Sequence, residues 1–322
     1  MYLASAQLHI PDGFLSLIIA LVAWLLAVAA LVAAVHRSQA QLDERLVPLA
    51  GVMAAFIFAG QMINFPVAGG TSGHLIGAAL AAIALGPWLG ILVMTAVIAL
   101  QALLFQDGGL VVMGANILVM GVVPALVGYG LYGAVAGRGR RAQLAVAAVA
   151  AWLSVMAAAL LTALLLGFSN TVSFSVVVPI MLGIHALIGI GEALITVAAL
   201  SFILSARPQL LERSAAAGGR GWVAAGGAVA LLVVVLSPLA SSFPDGLEWV
   251  AGETGFLESA RAAPFELLPD YTIPFLGETA LSTILAGAVG ALLIAAVAVV
   301  LARVLRDRGG ANNDSRVTPG RP

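Results

Sequence analysis

The stretch FLSLIIALVAWLLAVAALVAAV, from Phe14 to Val35, decides the fold. It contains no charged residue, and about 20 apolar residues are enough for an α-helix to cross a bilayer. The whole chain has the same character, because 62% of its 322 residues are hydrophobic and only 9% are charged. Soluble domains carry about 25% charged residues. The sequence therefore predicts an all-α polytopic membrane protein.

Nine apolar runs, each bounded by charged residues, Gly or Pro, predict helices. A full span needs about 17 to 25 residues. Gly73–Leu85 falls below this length, so we expect a half-span that follows a dipping loop. The predicted helices are Phe14–Val35, Val47–Ile63, Gly73–Leu85, Leu89–Phe105, Val112–Val135, Leu144–Phe168, Phe174–Leu204, Trp222–Ala240 and Ser282–Leu305.

The predicted helices fall into two units. Residues 1–206 hold seven of them. Residues 207–221, RPQLLERSAAAGGRG, are polar and rich in Gly and Ala, which predicts a cytoplasmic linker. Residues 222–308 hold two helices joined by a long external loop, and we expect residues 309–322 to form a disordered cytoplasmic tail. The predicted architecture is a seven-helix bundle followed by a two-helix transmembrane hairpin.

The arginines predict how the chain is oriented. With nine spans, every arginine except Arg261 falls on one side of the membrane. Basic residues accumulate on the cytoplasmic side of membrane proteins. We therefore expect the N-terminus outside and the C-terminus in the cytoplasm. This orientation places His9, His74 and the loop Gln106–Leu110 together at the outer face.

Composition excludes several function classes. The chain has no cysteine, so it has no disulfide, no thiolate zinc site and no cysteine nucleophile. A net charge of −1 gives no reason to expect nucleic acid as a partner. The sequence contains no Walker-type phosphate loop, no HExxH motif and no recognisable Ser–His–Asp arrangement. We expect neither an enzyme nor a bound cofactor, and any ATP hydrolysis must belong to partner subunits.

Two of the four histidines lie in short loops at the edges of apolar segments. His9 lies in LHIPDGFLS, where Pro11 and the Asp12-Gly13 turn stiffen the backbone. His74 ends NFPVAGGTSGH, which is too rich in Gly to continue a helix. Such placement suggests a metal site. Asp12, Asn64, Thr71, Ser72 and Gln101 are the neighbouring polar side chains that would support its ligands.

A plainer interpretation of both loops stays open. Asp12 could serve as the N-cap of the first helix beside an incidental histidine. Ser72 could likewise cap the helix that follows a tight external loop.

His9 would be a stronger ligand if Leu8 were the terminal residue. A free α-amine at Leu8, the amide nitrogen of His9 and the His9 imidazole can then close fused chelate rings on one ion. Nitrogen-rich planar coordination suits Ni(II) or Cu(II).

His185 and Glu192 are seven residues apart and so lie on roughly the same face of one helix. Glu192 is the only carboxylate inside a predicted span, and an ionisable group there is costly and a candidate for function. We favour a role for it in helix packing or partner contact, far from the outer loops. The alternative is a proton relay, which would make the chain a proton-coupled secondary metal-ion transporter. An intramembrane metalloenzyme is a further rival.

Several ordered motifs in residues 8–206 resemble the CbiM/NikM family, the substrate-binding (S) membrane components of cobalt and nickel energy-coupling-factor (ECF) transporters. The segment SSFPDGLEW resembles the PDGLE domain, a CbiN-like small subunit that is here fused to the larger one. The motifs are LHIPDGFLS, QMINFPVAGGTSGHLIG, LLFQDGGL, GAN, HALIGIGEALIT and SSFPDGLEW.

The resemblance implies a ligand set for transported Co²⁺ or Ni²⁺. It consists of the backbone nitrogen of Leu8, the amide and imidazole nitrogens of His9, and the side chain of His74. In the family the motif begins at the mature terminus, whereas seven residues precede Leu8 here. Either this leader is cleaved, or Leu8 is a TTG start codon read as Met. We expect the second, because MYLASAQ lacks the features of an export signal.

The resemblance also implies partners and a location. The chain would work in the cell membrane of a bacterium or archaeon with a CbiQ-like transmembrane (T) subunit and CbiO-like ATPase (A) subunits. It would capture the ion from outside. The acidic external loop of the hairpin would concentrate cations or act on loop closure.

Overall fold

The computed structural model of the protein describes residues 9–39, 42–135, 137–206 and 221–317, with side chains up to residue 309. Its eleven α-helices and one β-hairpin confirm the predicted all-α class. The helices are α1 (Leu17–Gln39), α2 (Leu46–Gln61), α3 (Ala78–Leu85), α4 (Pro87–Leu100), α5 (Met113–Asn116), α6 (Val123–Gly133), α7 (Arg140–Phe168), α8 (Phe174–Ala206), α9 (Gly221–Leu236), α10 (Gly246–Thr254) and α11 (Ala280–Val317).

Seven helical segments of the described chain are long and apolar enough to cross a membrane. These segments are Leu17–Gln39 in α1, Pro87–Phe105 with α4, Met113–Gly133 with α5 and α6, Arg140–Phe168 in α7, Phe174–Ser205 in α8, Gly221–Leu239 with α9, and Ala280–Gly309 in α11. Helix α2 is shorter, and α3 has only eight residues. The chain is therefore a multi-pass membrane protein. The nine predicted apolar helices are present, but two of them are too short to be counted as full spans.

The short helix α3 lies at the centre of the bundle. All eight of its residues are buried, and it packs against α4, α6 and α7. It begins only after Gly77, whose φ of 79° is in the left-handed region that favours glycine. A helix predicted from Gly73 therefore starts five residues later. An eight-residue helix lies where the sequence predicts a half-span, and its position in the membrane stays a prediction.

A β-hairpin that the sequence did not predict precedes α3. Its strands are β1 (Phe65–Val67) and β2 (Thr71–Gly73), paired antiparallel with Phe65 opposite Gly73. The turn between them uses Gly69 and Gly70, both with positive φ. The hairpin occupies the position of the predicted dipping loop, and its second strand ends directly before His74.

The two units of the chain pack closely on each other. Helices α9 and α11 both pack against α2, and α11 also contacts α1 and α4. The linker predicted at 207–221 lies outside the described residues except for Gly221. Helix α11 continues to Val317, and the disordered tail at residues 309–322 stays a prediction. Extending a helix that already exists costs little, because nucleation is the expensive step.

Charged groups mark two opposite ends of the bundle. The Arg37 guanidinium lies 4.3 Å from the ring centroid of Trp88, at the C-terminal end of α1. At the other end, the backbone N–H of Arg261 donates to the carbonyl of Asp12 over 2.7 Å. Arg261 is therefore at the opposite end of α1 from Arg37, as the charge pattern requires. The cytoplasmic assignment of the Arg37 end stays a prediction.

Candidate metal centre

A cavity of about 60 Å³ lies between the loop after residue 8, the β-hairpin, α8 and the start of α10. Its ionisable lining side chains are His9, His74, His185 and Asp245. Small-molecule sites usually measure about 300 to 1,000 Å³. This cavity therefore has room for a metal ion and a few waters, and it is too small for an organic substrate.

The structure brings the two predicted histidines together. The ring centroids of His9 and His74 are 5.9 Å apart, and the rings stand at 84° to each other. His9 is 1% exposed and the His74 side chain 11%. The two residues come from different loops, so their meeting is a product of the tertiary fold. Leu8, the other predicted ligand, lies outside the described residues.

His9 is held through Nδ1 by Asp107. Nδ1 lies 3.0 Å from the backbone carbonyl of Asp107 and 3.1 Å from its carboxylate Oδ1. Nε2 is buried and has no hydrogen-bond partner among the described residues. The contact with Asp107 fixes the orientation of the ring, and Nδ1 becomes available to another partner only when Asp107 releases it.

Burial and charge oppose each other in this pair. Burial lowers the pKa of His9, but attraction and hydrogen bonds from Asp107 outweigh it, so the pKa of His9 lies above its ordinary value. Burial raises the pKa of Asp107, but His9 and a hydrogen bond from Tyr271 outweigh it, so that pKa lies below its ordinary value. Asp107 is therefore a buried carboxylate that remains charged.

Gln101 reaches the site through two intermediaries. Its Nε2 donates to the Tyr271 hydroxyl over 3.0 Å, and that hydroxyl donates to Asp107 Oδ2 over 2.7 Å. The predicted supporting role of Gln101 is thus indirect. Tyr271 comes from the external loop of the second unit, and no sequence motif indicates its role.

The backbone beside His9 is held by Asn116. The Ile10 N–H donates to Asn116 Oδ1 and the Asn116 Nδ2 donates to the Ile10 carbonyl, each over 3.0 Å. Gly108, with φ of 100°, lies so close that a Cβ there would be 2.9 Å from the Cβ of His9. The GAN motif is the one sequence signal for Asn116, and the motif by itself predicts no role for the side chain.

Asp12 does not line the cavity and does not cap the first helix. Its carboxylate accepts hydrogen bonds from the backbone N–H groups of Leu110, Val111 and Val112. The N-cap role suggested for it is therefore wrong, and its supporting role stays a prediction. The reason is that the chain turns at Gly13 before α1 begins, and Asp12 points toward the Gln106–Leu110 loop. It ties the His9 loop to the loop that carries Asp107.

The peptide that follows His74 is anchored deep in the bundle. The Ile76 carbonyl accepts from Gln61 Nε2 over 2.9 Å, and the Ile76 N–H donates to Glu192 Oε2 over 2.7 Å. The Gly77 N–H donates to Glu192 Oε1 over 2.8 Å. The expectation that Glu192 is far from the outer loops is wrong, because the loop descends to it. Gln61 was not identified as a site residue.

Thr71 and Ser72 do not support His74 directly, and Ser72 does not cap a helix. The Ser72 hydroxyl donates to the Phe243 carbonyl over 2.8 Å, and the Ser72 N–H donates to the Pro244 carbonyl over 2.8 Å. The Thr71 hydroxyl also donates to the Pro244 carbonyl, over 3.1 Å. Strand β2 is unpaired on its outer edge within the hairpin, so it binds the backbone of the second unit.

Asn64 also contacts the second unit. Its backbone carbonyl accepts from the Ser241 N–H over 2.8 Å. Its side-chain Oδ1 is buried and has no hydrogen-bond partner in the described part of the chain. Asn64 does not line the cavity, so the supporting role predicted for it is not seen.

The PDGLE segment closes the cavity with Asp245. Oδ2 of Asp245 lies 3.7 Å from Nε2 of His74, while Oδ1 accepts the Glu248 N–H over 2.7 Å as the N-cap of α10. Burial raises the pKa of Asp245 to about 7, opposed by the hydrogen bond from Glu248. The next residue, Gly246, packs so closely on α8 that a Cβ there would lie 2.9 Å from Ile188.

His185 lines the cavity, whereas Glu192 lies deeper on the same helix. The His185 ring lies with Nδ1 2.8 Å from the Met181 carbonyl, its own helix backbone. The two residues were expected on one face, and the structure gives them separate surroundings. Within the described residues, no three His, Asp or Glu side chains are arranged to hold a metal ion by themselves.

Two family models match the chain. The model for the cobalt uptake substrate-specific transmembrane region, CbiM, matches residues 9–210, and the PDGLE domain model matches residues 220–307. These matches cover the cavity, both histidines and Asp245.

Individual proteins agree with the family models. The chain is 38% identical to a NikMN protein of Archaeoglobus fulgidus, over 93% of this chain and 99% of that protein. It is 30% identical to the fused nickel transport protein NikMN of Rhodobacter capsulatus, over 90% and 95% respectively. A solved structure, that of a truncated transition metal transporter, is 33% identical with a TM-score of 0.56, and the match covers 62% of this chain and 99% of that one. The chain therefore belongs to the CbiM family of metal transport proteins, with a PDGLE domain fused at its C-terminal end.

Proposed function

We propose that the chain captures Co²⁺ or Ni²⁺ at the extracytoplasmic face and delivers it inward as the substrate-specific component of an ATP-driven ECF transporter. The observation that carries this proposal is the convergence of His9 and His74, 5.9 Å apart, on one small buried cavity. Two imidazoles are ligands that cobalt and nickel accept readily. The family's description as a cobalt uptake region and the nickel transport relative support the choice of ion.

The proposed ligands are the backbone nitrogen of Leu8, the amide and imidazole nitrogens of His9, and the His74 imidazole. A chelate through the amide and imidazole of one histidine uses Nδ1, because only Nδ1 closes a six-membered ring with the metal. Nδ1 of His9 contacts Asp107 in the structure. For the ion to bind in this way, Nδ1 must therefore give up its contact with Asp107 and bind the ion in its place.

The direction of transport is inferred from charge. Among the described residues, Arg37 lies at the end of the bundle opposite the cavity, whereas Arg261 lies near Asp12 at the cavity end. All other arginines fall on the Arg37 side in the predicted topology, and positive residues mark the cytoplasmic side. The cavity is then external and the chain has no ATP-binding motif. Inward delivery consequently needs a CbiQ-like T subunit and CbiO-like A subunits, which we propose as partners in the cell membrane.

Glu192 gives little support to the rival proton-coupled mechanism. Both of its carboxylate oxygens accept backbone hydrogen bonds from Ile76 and Gly77. A carboxylate that holds two backbone N–H groups in place is engaged as an anchor. The surroundings therefore favour a positioning role over a proton relay.

Metal retention tests the site. His9→Ala and His74→Ala should each abolish retention of nickel and cobalt by purified protein, measured by elemental analysis after loading with either ion. His36→Ala is the matched control, because His36 lies in the last turn of α1, away from the cavity. Equal metal content in all three variants would refute the assignment. Loading with both ions in competition would show which one is preferred.

Energy coupling is tested in proteoliposomes that contain the chain with its T and A subunits. We expect uptake to require hydrolysable ATP and to persist when a protonophore collapses the proton gradient. Uptake that continues without the A subunits and stops with the protonophore would establish the Glu192-coupled alternative.

The Leu8 donor is tested by intact-mass measurement of active protein. We expect the mass of a chain that starts at position 8. Retention of Met1 to Gln7 in protein that binds nickel normally would remove the terminal amine from the ligand set.

A further inference from the structure

We propose that Asp245 of the PDGLE segment is a ligand of the transported cation, so that the second unit supplies part of the binding site. This inference rests on the proposed function and adds an oxygen donor to its nitrogen ligands. It follows from the position of Asp245 against His74 at the cavity.

Distance supports direct ligation. Oδ2 of Asp245 lies 3.7 Å from Nε2 of His74. Nitrogen and oxygen ligands bind divalent transition ions at about 2.1 Å, so two ligands of one ion are at most about 4.2 Å apart. Both atoms can therefore bind the same ion without moving relative to each other. Carboxylate oxygen and imidazole nitrogen are a common ligand combination in metal sites.

Charge gives a second, independent reason. A divalent cation in a buried cavity needs negative charge nearby, because an uncompensated buried charge is costly. The two imidazoles supply none, and the His9 amide nitrogen supplies one negative charge, because it loses its proton when it binds the metal. The cavity region also holds two buried carboxylates, and each is next to one histidine: Asp107 beside His9 and Asp245 beside His74. Asp107 is engaged by His9 and Tyr271, and Asp245 lines the cavity itself.

The backbone around Asp245 is built to hold it there. The Pro244 carbonyl is bound by Ser72, and Gly246 packs directly on α8. The other carboxylate oxygen, Oδ1, caps α10 through the Glu248 N–H. One oxygen thus fixes the side chain while the other faces His74. Capping α10 does not require a position at the cavity, yet Asp245 lines it.

The cap also makes a clean experiment possible. Asn is as good an N-cap residue as Asp, so Asp245→Asn keeps the hydrogen bond to Glu248 and removes the charge. We expect Asp245→Asn to bind nickel about 10- to 100-fold more weakly than the unmodified full chain, with unchanged thermal unfolding. X-ray absorption of the nickel-loaded variant should show one ligand fewer. Glu258→Gln, an exposed carboxylate of the same loop, should bind nickel as the unmodified chain does.

The outcomes separate this inference from the proposed function. If Asp245→Asn binds nickel within twofold of the unmodified chain while His74→Ala loses it, Asp245 is only a helix cap and this inference fails alone. If Glu258→Gln weakens binding as much as Asp245→Asn, the loop acts through its overall charge and the inference also fails. If His74→Ala retains nickel, the proposed function itself fails.

Discussion

The backbone N–H of Gly77 donates a 2.8 Å hydrogen bond to the carboxylate of Glu192, 115 residues further along the chain. Glu192 is fully buried in α8, and Gly77 stands three residues after His74. The bond therefore connects the middle of a membrane helix with the loop that carries a candidate ligand. It explains why a carboxylate is placed where burial makes it expensive.

Glu192→Ala should destabilise the protein and weaken nickel retention. The substitution leaves the N–H groups of Ile76 and Gly77 without their acceptor, and each buried unpaired N–H costs about 1 to 3 kcal/mol. Thermal unfolding in detergent and nickel content measure the two effects. Glu44→Ala is the control, because that carboxylate is 77% exposed beside Arg306 and exposed ion pairs contribute about 0 to 1 kcal/mol. Unchanged unfolding of Glu192→Ala would contradict the anchoring role.

Asn116→Asp should weaken nickel binding about tenfold or more. The substitution keeps the size of the side chain but removes the donor to the Ile10 carbonyl, and groups that orient a ligand typically contribute about 10- to 100-fold to metal affinity. Equilibrium dialysis with radioactive nickel gives the affinity. Gln143→Glu makes the same chemical change at the other end of the bundle, where Nε2 donates to the Arg138 carbonyl, and should leave the affinity unaltered. Similar losses in both variants would argue against the clamp on Ile10.

Tyr271→Phe should reduce nickel affinity about tenfold. The substitution removes the hydroxyl that donates to Asp107, and a hydrogen bond to a charged group contributes about 1.5 to 3 kcal/mol. Loss of that bond also raises the pKa of Asp107, because the Tyr271 hydroxyl is one of the groups that lower it. Titration calorimetry with nickel measures the change, and Tyr129→Phe, on α6 outside the cavity lining, is the control. An unaltered affinity in Tyr271→Phe would show that Asp107 needs no support from the external loop.

Gly246→Ala should weaken nickel binding, whereas Gly252→Ala in the same helix should not. A Cβ at position 246 would lie 2.9 Å from Cδ1 of Ile188 and 3.0 Å from Cε1 of His185, so these side chains or α10 must shift at the edge of the cavity. A Cβ at position 252 meets nothing within 4 Å. Replacing Gly by Ala inside a helix stabilises by about 0.5 to 1 kcal/mol, so Gly252→Ala should unfold at a slightly higher temperature. Equal nickel affinities in the two variants would show that the close approach at Gly246 is not required.

The helices could be predicted because membrane spans follow from the length and apolar character of continuous segments. The β-hairpin could not be predicted, because each strand has only three residues. The outer edge of β2 is hydrogen-bonded to Pro244, more than 170 positions away in the sequence. The start of α3 depends on the left-handed backbone of Gly77. A Gly-rich stretch indicates that the helix is interrupted, but it does not say which glycine ends the interruption.

The site could be predicted only in part, for a related reason. His9 and His74 were identifiable because ionisable residues are rare in so apolar a chain. Their supporting residues were not, since Asn116 and Asp245 reach the cavity, and Tyr271 reaches Asp107, through tertiary contacts that leave no local pattern. Thr71 and Ser72 were predicted to support His74 because they are close to it in sequence. In strand β2 their hydroxyls instead donate to the Pro244 and Phe243 carbonyls.

The hydrogen bonds from Ser72 to Phe243 and Pro244 join parts of one polypeptide. Because the two segments are linked, the effective concentration of one for the other is set by the connecting chain. It does not depend on how dilute the protein is in the bilayer. Every copy of the candidate metal site thus has its own PDGLE segment, in a fixed one-to-one ratio. Two separately expressed subunits would depend on meeting by diffusion in the plane of the membrane.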